Sequence, residues 1–230
     1  MSEQQWSVRR DTKKKRLEQA DGLCRGKQID AEKMTEFLEN ILFPGDTVIL
    51  EGDNQKQASF LSEALENCDP ERVHDLHMVI PSVSRPEHLN LFEKGMASLL
   101  DFSYAGSQSM RIAQMIEDET LRVGAIHTYV ELYARLFIDL IPDICLVAAD
   151  EADPEGNLYT GPNTEETPTL VEATAFKNGI VIAQVNRIRD RVSRVDIPGD
   201  WVDFIVESPE PYGIKPLFTR DPRNITELQI

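Results

Sequence analysis

The 230-residue chain carries 40 acidic against 24 basic side chains, a net charge of −16, which excludes nucleic acid and an anionic membrane as its main partner because both demand a basic surface. A hydrophobic fraction of 41% with 28% charged residues is the composition of a globular domain large enough for a sizeable core. Cys24, Cys68 and Cys145 are an odd number without metal-ligand spacing, and no apolar run reaches the roughly 20 residues of a bilayer span, so the expectation is a soluble cytoplasmic protein with reduced thiols.

The charge is unevenly placed. Residues 1–29 hold eight basic and four acidic side chains, leaving −20 for the rest. They read as a basic arm that meets either an acidic partner or the chain's own acidic surface. Asp30 then caps a predicted helix to Phe43, whose stripe is Met34, Phe37, Leu38, Ile41 and Leu42. Pro44-Gly45-Asp46 ends it. Thr47 to Leu50 is a buried strand, and Gly52-Asp53-Asn54 turns into a helix predicted from Gln55 to Glu66, with Asn54 and Gln57 as a capping box.

Further strands are predicted over 75–80, 98–105, 122–127, 143–149, 180–185 and 202–206, with Pro81 and Pro86 in a loop. Helices are predicted around 110–116, from Thr128 with Glu131 closing a capping box, and over 164–177 with Asn163 and Glu166 as the cap. Asp153-Pro-Glu-Gly156 turns the 143–149 strand into an antiparallel hairpin with 157–160. Strand alternating with helix predicts an α/β fold, a doubly wound, mainly parallel sheet with helices on both faces. The expected division is an arm over 1–29, an α/β domain over 30–208, and over 209–230 an extended connection. That connection leads into the first turn of a helix at Asn224, expected to continue in a further domain.

Neither G-x-G-x-x-G nor a Walker A sequence occurs, which sets aside dinucleotide and P-loop chemistry. Strand-to-helix turns remain, and in a parallel sheet they converge on one edge, where backbone N–H groups and helix dipoles face an anionic ligand. The candidate ligand-binding residues are Gly52, Asp53, Asn54, Gln55, Gly106, Ser107, Gln108, His127, Thr128 and Asn163. His74 and His77 lack a third ligand, so no metal is expected. Asp150, Glu151, Asp153 and Glu155 read as a solvated hairpin, and Cys145 as a core residue.

Glu51-Gly-Asp-Asn-Gln-Lys-Gln57, His74-Asp-Leu-His77, Gly124-Ala-Ile-His-Thr-Tyr129, Asp153-Pro-Glu-Gly-Asn-Leu-Tyr-Thr-Gly-Pro-Asn163 and Glu172-Ala-Thr-Ala175 together resemble the α subunit of bacterial malonate decarboxylase. More distantly the order of elements is similar to a family I CoA transferase. The resemblance covers nearly all of this chain and the N-terminal half of such a subunit. It implies exchange of acetyl for malonyl on an acyl-carrier-protein thiol, with release of acetate. The thiol belongs to a CoA-derived, phosphopantetheine-type prosthetic group presented by the carrier, with no cofactor bound directly. It implies sibling decarboxylase subunits as partners. The glutamate that attacks the thioester in CoA transferases belongs to the second half, so no catalytic residue, Glu51 included, is assigned here. The alternatives are action on free acyl-CoA as a transferase or hydrolase, and a non-catalytic scaffold that docks carrier protein and sibling subunits.

Overall fold

Alternate residues of the central strands feed two separate cores, as a sheet covered on both faces requires. A computed structural model describes residues 3–52, 56–162 and 166–212. The strands are β1 (Cys24–Arg25), β2 (Gln28–Ile29), β3 (Thr47–Leu50), β4 (Leu76–Ser82), β5 (Ala97–Tyr104), β6 (Arg122–Ile126), β7 (Ile144–Ala152), β8 (Leu158–Tyr159), β9 (Ile180–Ile188) and β10 (Phe204–Glu207). The helices are α1 (Glu3–Ala20), α2 (Met34–Ile41), α3 (Ser59–Glu66), α4 (Glu87–Glu93), α5 (Ser109–Glu117), α6 (Tyr129–Ile138) and α7 (Thr167–Phe176). Val48 and Leu50, Ile144 and Leu146, Ile180 and Ile182 point to the core under α2 to α5. Ile49, Cys145, Val147, Val181 and Ala183 point to the core under α6 and α7.

The sheet runs β1-β2-β10-β9-β7-β3-β4-β5-β6, parallel except that β1 pairs antiparallel with β2 and β8 with β7. From β3 the chain steps outward to β4, β5 and β6, then returns to place β7 on the other side of β3. Reversing the direction of strand addition at a constant crossover hand moves the helix to the opposite face, and α6 and α7 lie there. The reversal makes a topological switch point between β3 and β7. Crevices at such points, beyond the carboxyl ends of the strands, are where open α/β sheets bind ligands.

Several predicted boundaries move for physical reasons. The helix expected from Gln55 starts at Ser59; Lys56 and Gln57 are buried in the connection, and Gln57 bonds Ser84 and Arg85 instead of capping. A 3-10 turn over Ala31–Lys33 precedes α2, and Asp30 makes no side-chain cap. β4 runs through Pro81, and α4, which lacks a long stripe, follows the second proline. Thr128 caps α6 as expected, accepting the Glu131 N–H at 3.2 Å. The hairpin forms with Glu151 opposite Tyr159, but it is not solvated throughout. Glu151 is buried on Arg189 and Ser193, and Asp153 is buried accepting from Asn157. The Asn163 cap and the turn at Asn224 lie outside the described residues.

The basic arm folds as the helix α1 followed by β1 and β2, which join the edge of the sheet, and three of its charges meet the amino edge of the sheet. Arg9, Lys13 and Arg16 fall on one helical face by spacing and meet three aspartates that immediately precede strands: Arg9 to Asp143 at 2.7 Å, Lys13 to Asp203 at 2.8 Å, and Arg16 to Asp46 at 2.6 Å. Each aspartate also accepts a backbone N–H, from Thr47, Val181 and Phe43 respectively. Arg16 and Asp46 are buried, so removing one partner strands the other. Arg16→Met is expected to cost about 3 kcal/mol or more, and Arg10→Ala, at an exposed position of the same helix, to stay within about 0.5 kcal/mol. Equal urea midpoints for Arg16→Met and the parent chain would show that this pair does not hold α1.

Candidate functional site

At the switch point β3 ends in a carboxylate where an apolar residue would be the ordinary choice. Glu51 is fully buried on the α7 side of the sheet. Its Oε2 accepts the Ala148 N–H of β7 at 2.6 Å; its Oε1 accepts from the Thr167 hydroxyl and stands 3.2 Å from the Lys56 ammonium, which also donates to the Thr167 hydroxyl. Lys56 is itself buried. The Glu51 carbonyl accepts the Ala58 N–H at 3.2 Å and closes the base of the loop between them.

Gly52 follows in a position with no room for a side chain. A Cβ there would stand 2.2 Å from the Ser82 carbonyl oxygen and 2.9 Å from His88 Cε1. The Gly52 carbonyl accepts from Ser84, whose hydroxyl also receives the Gln57 amide. Beneath the turn His88 is wholly buried, and neither ring nitrogen has a partner among the described residues. Burial, with Arg85 adding to it, lowers its pKa to about 3, so the imidazole is neutral. Asp53, Asn54 and Gln55 lie outside the described residues, as does Asn163.

Beside this turn a cleft of about 470 Å³ opens between the start of α3 and the 208–212 segment, with Gln57, Phe60, Arg85 and Tyr212 in its walls. The segment is clipped to the sheet: the Tyr212 N–H donates to Asn186, whose amide donates to Asp150 at the end of β7. Arg85 is shared among Gln57, Glu63 and Glu87. A larger cavity, about 1030 Å³, opens at the opposite edge by Val8, Arg9 and Phe137. There the three guanidinium nitrogens of Arg9 are committed to Lys177, Asp143 and Pro142, so the carboxyl edge is the better site for chemistry.

The other sequence candidates lie further along that edge. Gly106, Ser107 and Gln108 form a 3-10 turn after β5, two strands from β3. His127 is buried after β6, and its Nε2 lies 2.6 Å from Asp101, which His77 also meets at 2.7 Å. Burial pushes the Asp101 carboxyl up, but the bonds from His77 and His127 outweigh it and hold it below the usual carboxylate range. His127 therefore serves a buried network across β4, β5 and β6, and Thr128 serves as a helix cap. Cys145 is a core residue whose thiol burial pushes up. Lys56, His88, Asp101 and Thr167 were not singled out by sequence reasoning. Only Asp101, an acid inside the apolar run 97–104, carried a signal. Among the described residues no group of three or more His, Cys, Asp or Glu is arranged to hold a metal ion, and no helix is long and apolar enough to cross a membrane.

Two expectations follow from this geometry. Gly52→Ala should cost about 1–3 kcal/mol, because the added methyl meets backbone at Ser82 that cannot rotate away; an unchanged melting temperature would contradict the close approach. His88 takes up no proton in the folded protein until near pH 3, whereas the unfolded chain does so below about 6.5. Above that value the depressed pKa costs nothing, and as pH falls below it stability drops at up to about 1.4 kcal/mol per pH unit. His88→Phe should thus flatten the acid limb of the stability curve and gain up to about 1 kcal/mol at pH 7 by removing unbonded buried nitrogens. Parallel curves in urea titrations from pH 7 to 5 would overturn this.

The chain matches the family described as malonate decarboxylase, alpha subunit, transporter, over residues 5–230. The acetyl-S-ACP:malonate ACP transferase of Malonomonas rubra is 52% identical over 204 residues, 89% of this chain and 37% of its own length. Among solved structures, a Pseudomonas malonate decarboxylase hetero-tetramer in complex with malonate has a subunit 59% identical at a TM-score of 0.93, covering 98% of this chain and 41% of that one. The malonate decarboxylase α subunit from Acinetobacter baumannii is 55% identical at 0.91, covering 96% and 41%. The chain thus spans about two fifths of the length of these relatives. An acyl-CoA transferase from E. coli O157:H7, 18% identical over 87% of this chain and 55% of its own at a TM-score of 0.67, shares the fold.

Proposed function

The chain belongs to the malonate decarboxylase α-subunit family, and from that premise we propose that it is part of an acyltransferase. The reaction is exchange of acetyl for malonyl on the thiol of a CoA-derived prosthetic group, borne by an acyl carrier protein, as a step of malonate decarboxylation. The observation that carries the reading is the 52% identity to the Malonomonas rubra transferase. In the exchange, the thioester C–S bond to acetyl breaks, one to malonyl forms, and acetate leaves with the oxygen that malonate gives up. The prosthetic group arrives on the carrier as substrate, and the partners are the carrier and sibling subunits. The cytoplasm is the compartment we assign, in keeping with three free cysteines.

The chemistry needs donors for the malonate carboxylates and for the oxyanion formed when the thioester carbonyl is attacked. We assign these first to Gly52, Asp53, Asn54 and Gln55, which follow β3 in the sequence, and to Asn163, which precedes α7, because β3 and β7 flank the switch point and α7 follows β7. Gly106, Ser107, Gln108 and Thr128 form a second, more distant rank. His127 acts through the Asp101 network and not as a free imidazole. The attacking nucleophile is not Glu51: its side chain is fully buried and both its oxygens are bonded. The remaining three fifths of a family-length subunit supply that group.

The test is malonate-dependent release of acetate from acetyl-carrier protein, run with this chain alone and with a family-length subunit containing it. Release only from the family-length subunit is expected. Release by this chain alone would show that it holds its own nucleophile, and tight carrier binding with no release from either would favour a scaffold.

A further inference from the structure

Two connections flank the switch point, one leaving β3 at Glu51 and entering α3 through Lys56 to Ala58, the other entering α7 at Thr167. Glu51, Lys56 and Thr167 join them at the base. Lys56 lies within the first connection and turns its side chain inward; Thr167 is the first residue of α7 and ends the second connection. The Thr167 hydroxyl accepts from Lys56 and donates to Glu51, and Lys56 stands 3.2 Å from the same carboxylate oxygen. The carboxylate is tied in turn to the strand between the connections, through the Ala148 N–H at 2.6 Å. The first connection is closed by the Ala58 N–H on the Glu51 carbonyl. The second approaches β7 at Gly161, where a Cβ would stand 3.1 Å from Asp150 Cβ.

Stability explains an acceptor for the Ala148 N–H but not the choice of a charged pair. Glu51, Lys56 and Thr167 are each at most 1% exposed, and a buried ion pair recovers its desolvation cost only with excellent geometry, so that an apolar replacement of similar volume is often neutral or stabilising. What charge and hydroxyl add over an apolar trio is direction: each bond fixes an angle as well as a distance.

We propose that the Glu51, Lys56 and Thr167 cluster is a positioning device that locks the end of β3, the segment from Lys56 into α3 and the start of α7 to one another across the switch point. This rests on the reading of the crevice as the acyl-exchange site. The three residues touch no substrate and act through the connections they join. A displacement of one connection is passed to the other through two hydrogen bonds and an ion pair.

The test uses the family-length subunit with Glu51→Gln, Lys56→Met and the apolar double variant Glu51→Leu/Lys56→Met, beside Arg16→Met as a control that breaks a buried pair at the far edge of the sheet. Amide hydrogen exchange is followed in peptides covering 56–62 and 167–172, with kcat and KM for malonate. Either single variant should speed exchange in both peptides by about tenfold or more, although each changes one connection, and should lower kcat by about tenfold or more. The double variant, which leaves no unpaired buried charge, should be less destabilised than either single variant and yet show the same loss of kcat, which keeps the outcome readable if a single variant folds poorly. Faster exchange confined to the substituted connection, a double variant with parental kcat, or an equal kcat loss in Arg16→Met at matched stability would each overturn the lock. If the parent subunit performs no exchange of acetyl for malonyl, the functional reading fails, and the amide data still decide whether the connections are coupled.

Discussion

Carboxylates stand at both ends of the buried central strands, and the fold depends on matching each of them. A buried charge without a partner costs several kcal/mol, a large share of a domain's net stability. At the amino edge Asp46, Asp143 and Asp203 each receive a cation from one face of α1. At the carboxyl edge Glu51 receives Lys56 and Thr167. The first set attaches a helix that has no apolar face of its own; the second ties together the chain on either side of the switch point. Burial still drives the Asp46 carboxyl up despite Arg16, which shows how much hydration these positions give up.

This matching also changes the meaning of the net charge. Arg9, Lys13 and Arg16 are neutralised within the chain, so the excess of positive charge over residues 1–29 is not a free patch for an acidic partner.

The alternation of strand and helix was legible because the central strands are nearly all apolar and the helices carry stripes; Val48 to Leu50 and Ile144 to Ala149 allow little else. The Thr128 cap and the hairpin at Asp153 were legible because their chemistry is local. What escaped was set by partners distant in sequence. α1 has no hydrophobic stripe because its docking is ionic, and a pattern of apolar residues cannot report that. Gln57 looked like part of a capping box, yet its amide is taken by Ser84 and Arg85 from the next crossover. Glu151 and Asp153 looked solvated, and Arg189, Ser193 and Asn157 bury them instead. At the site, Glu51 was visible as an acid ending a strand, but Lys56 and Thr167 became its partners only through the fold, 111 residues apart from one another. The residues Asp53 to Gln55 and Asn163 rest on the sequence alone.

The ionic strap of α1 has a consequence for the order in which the molecule is made. Arg16 finds its aspartate 30 residues downstream, but Arg9 and Lys13 find theirs 134 and 190 residues downstream. At ribosomal speeds the helix therefore emerges about 10 to 40 s before the last of its three counter-charges exists. With no continuous apolar face, it can wait in water without offering an adhesive surface to neighbouring chains. Its docking on the amino edge is complete only after β10 has joined the sheet, so a helix made early is secured late, with the arrival of Asp203.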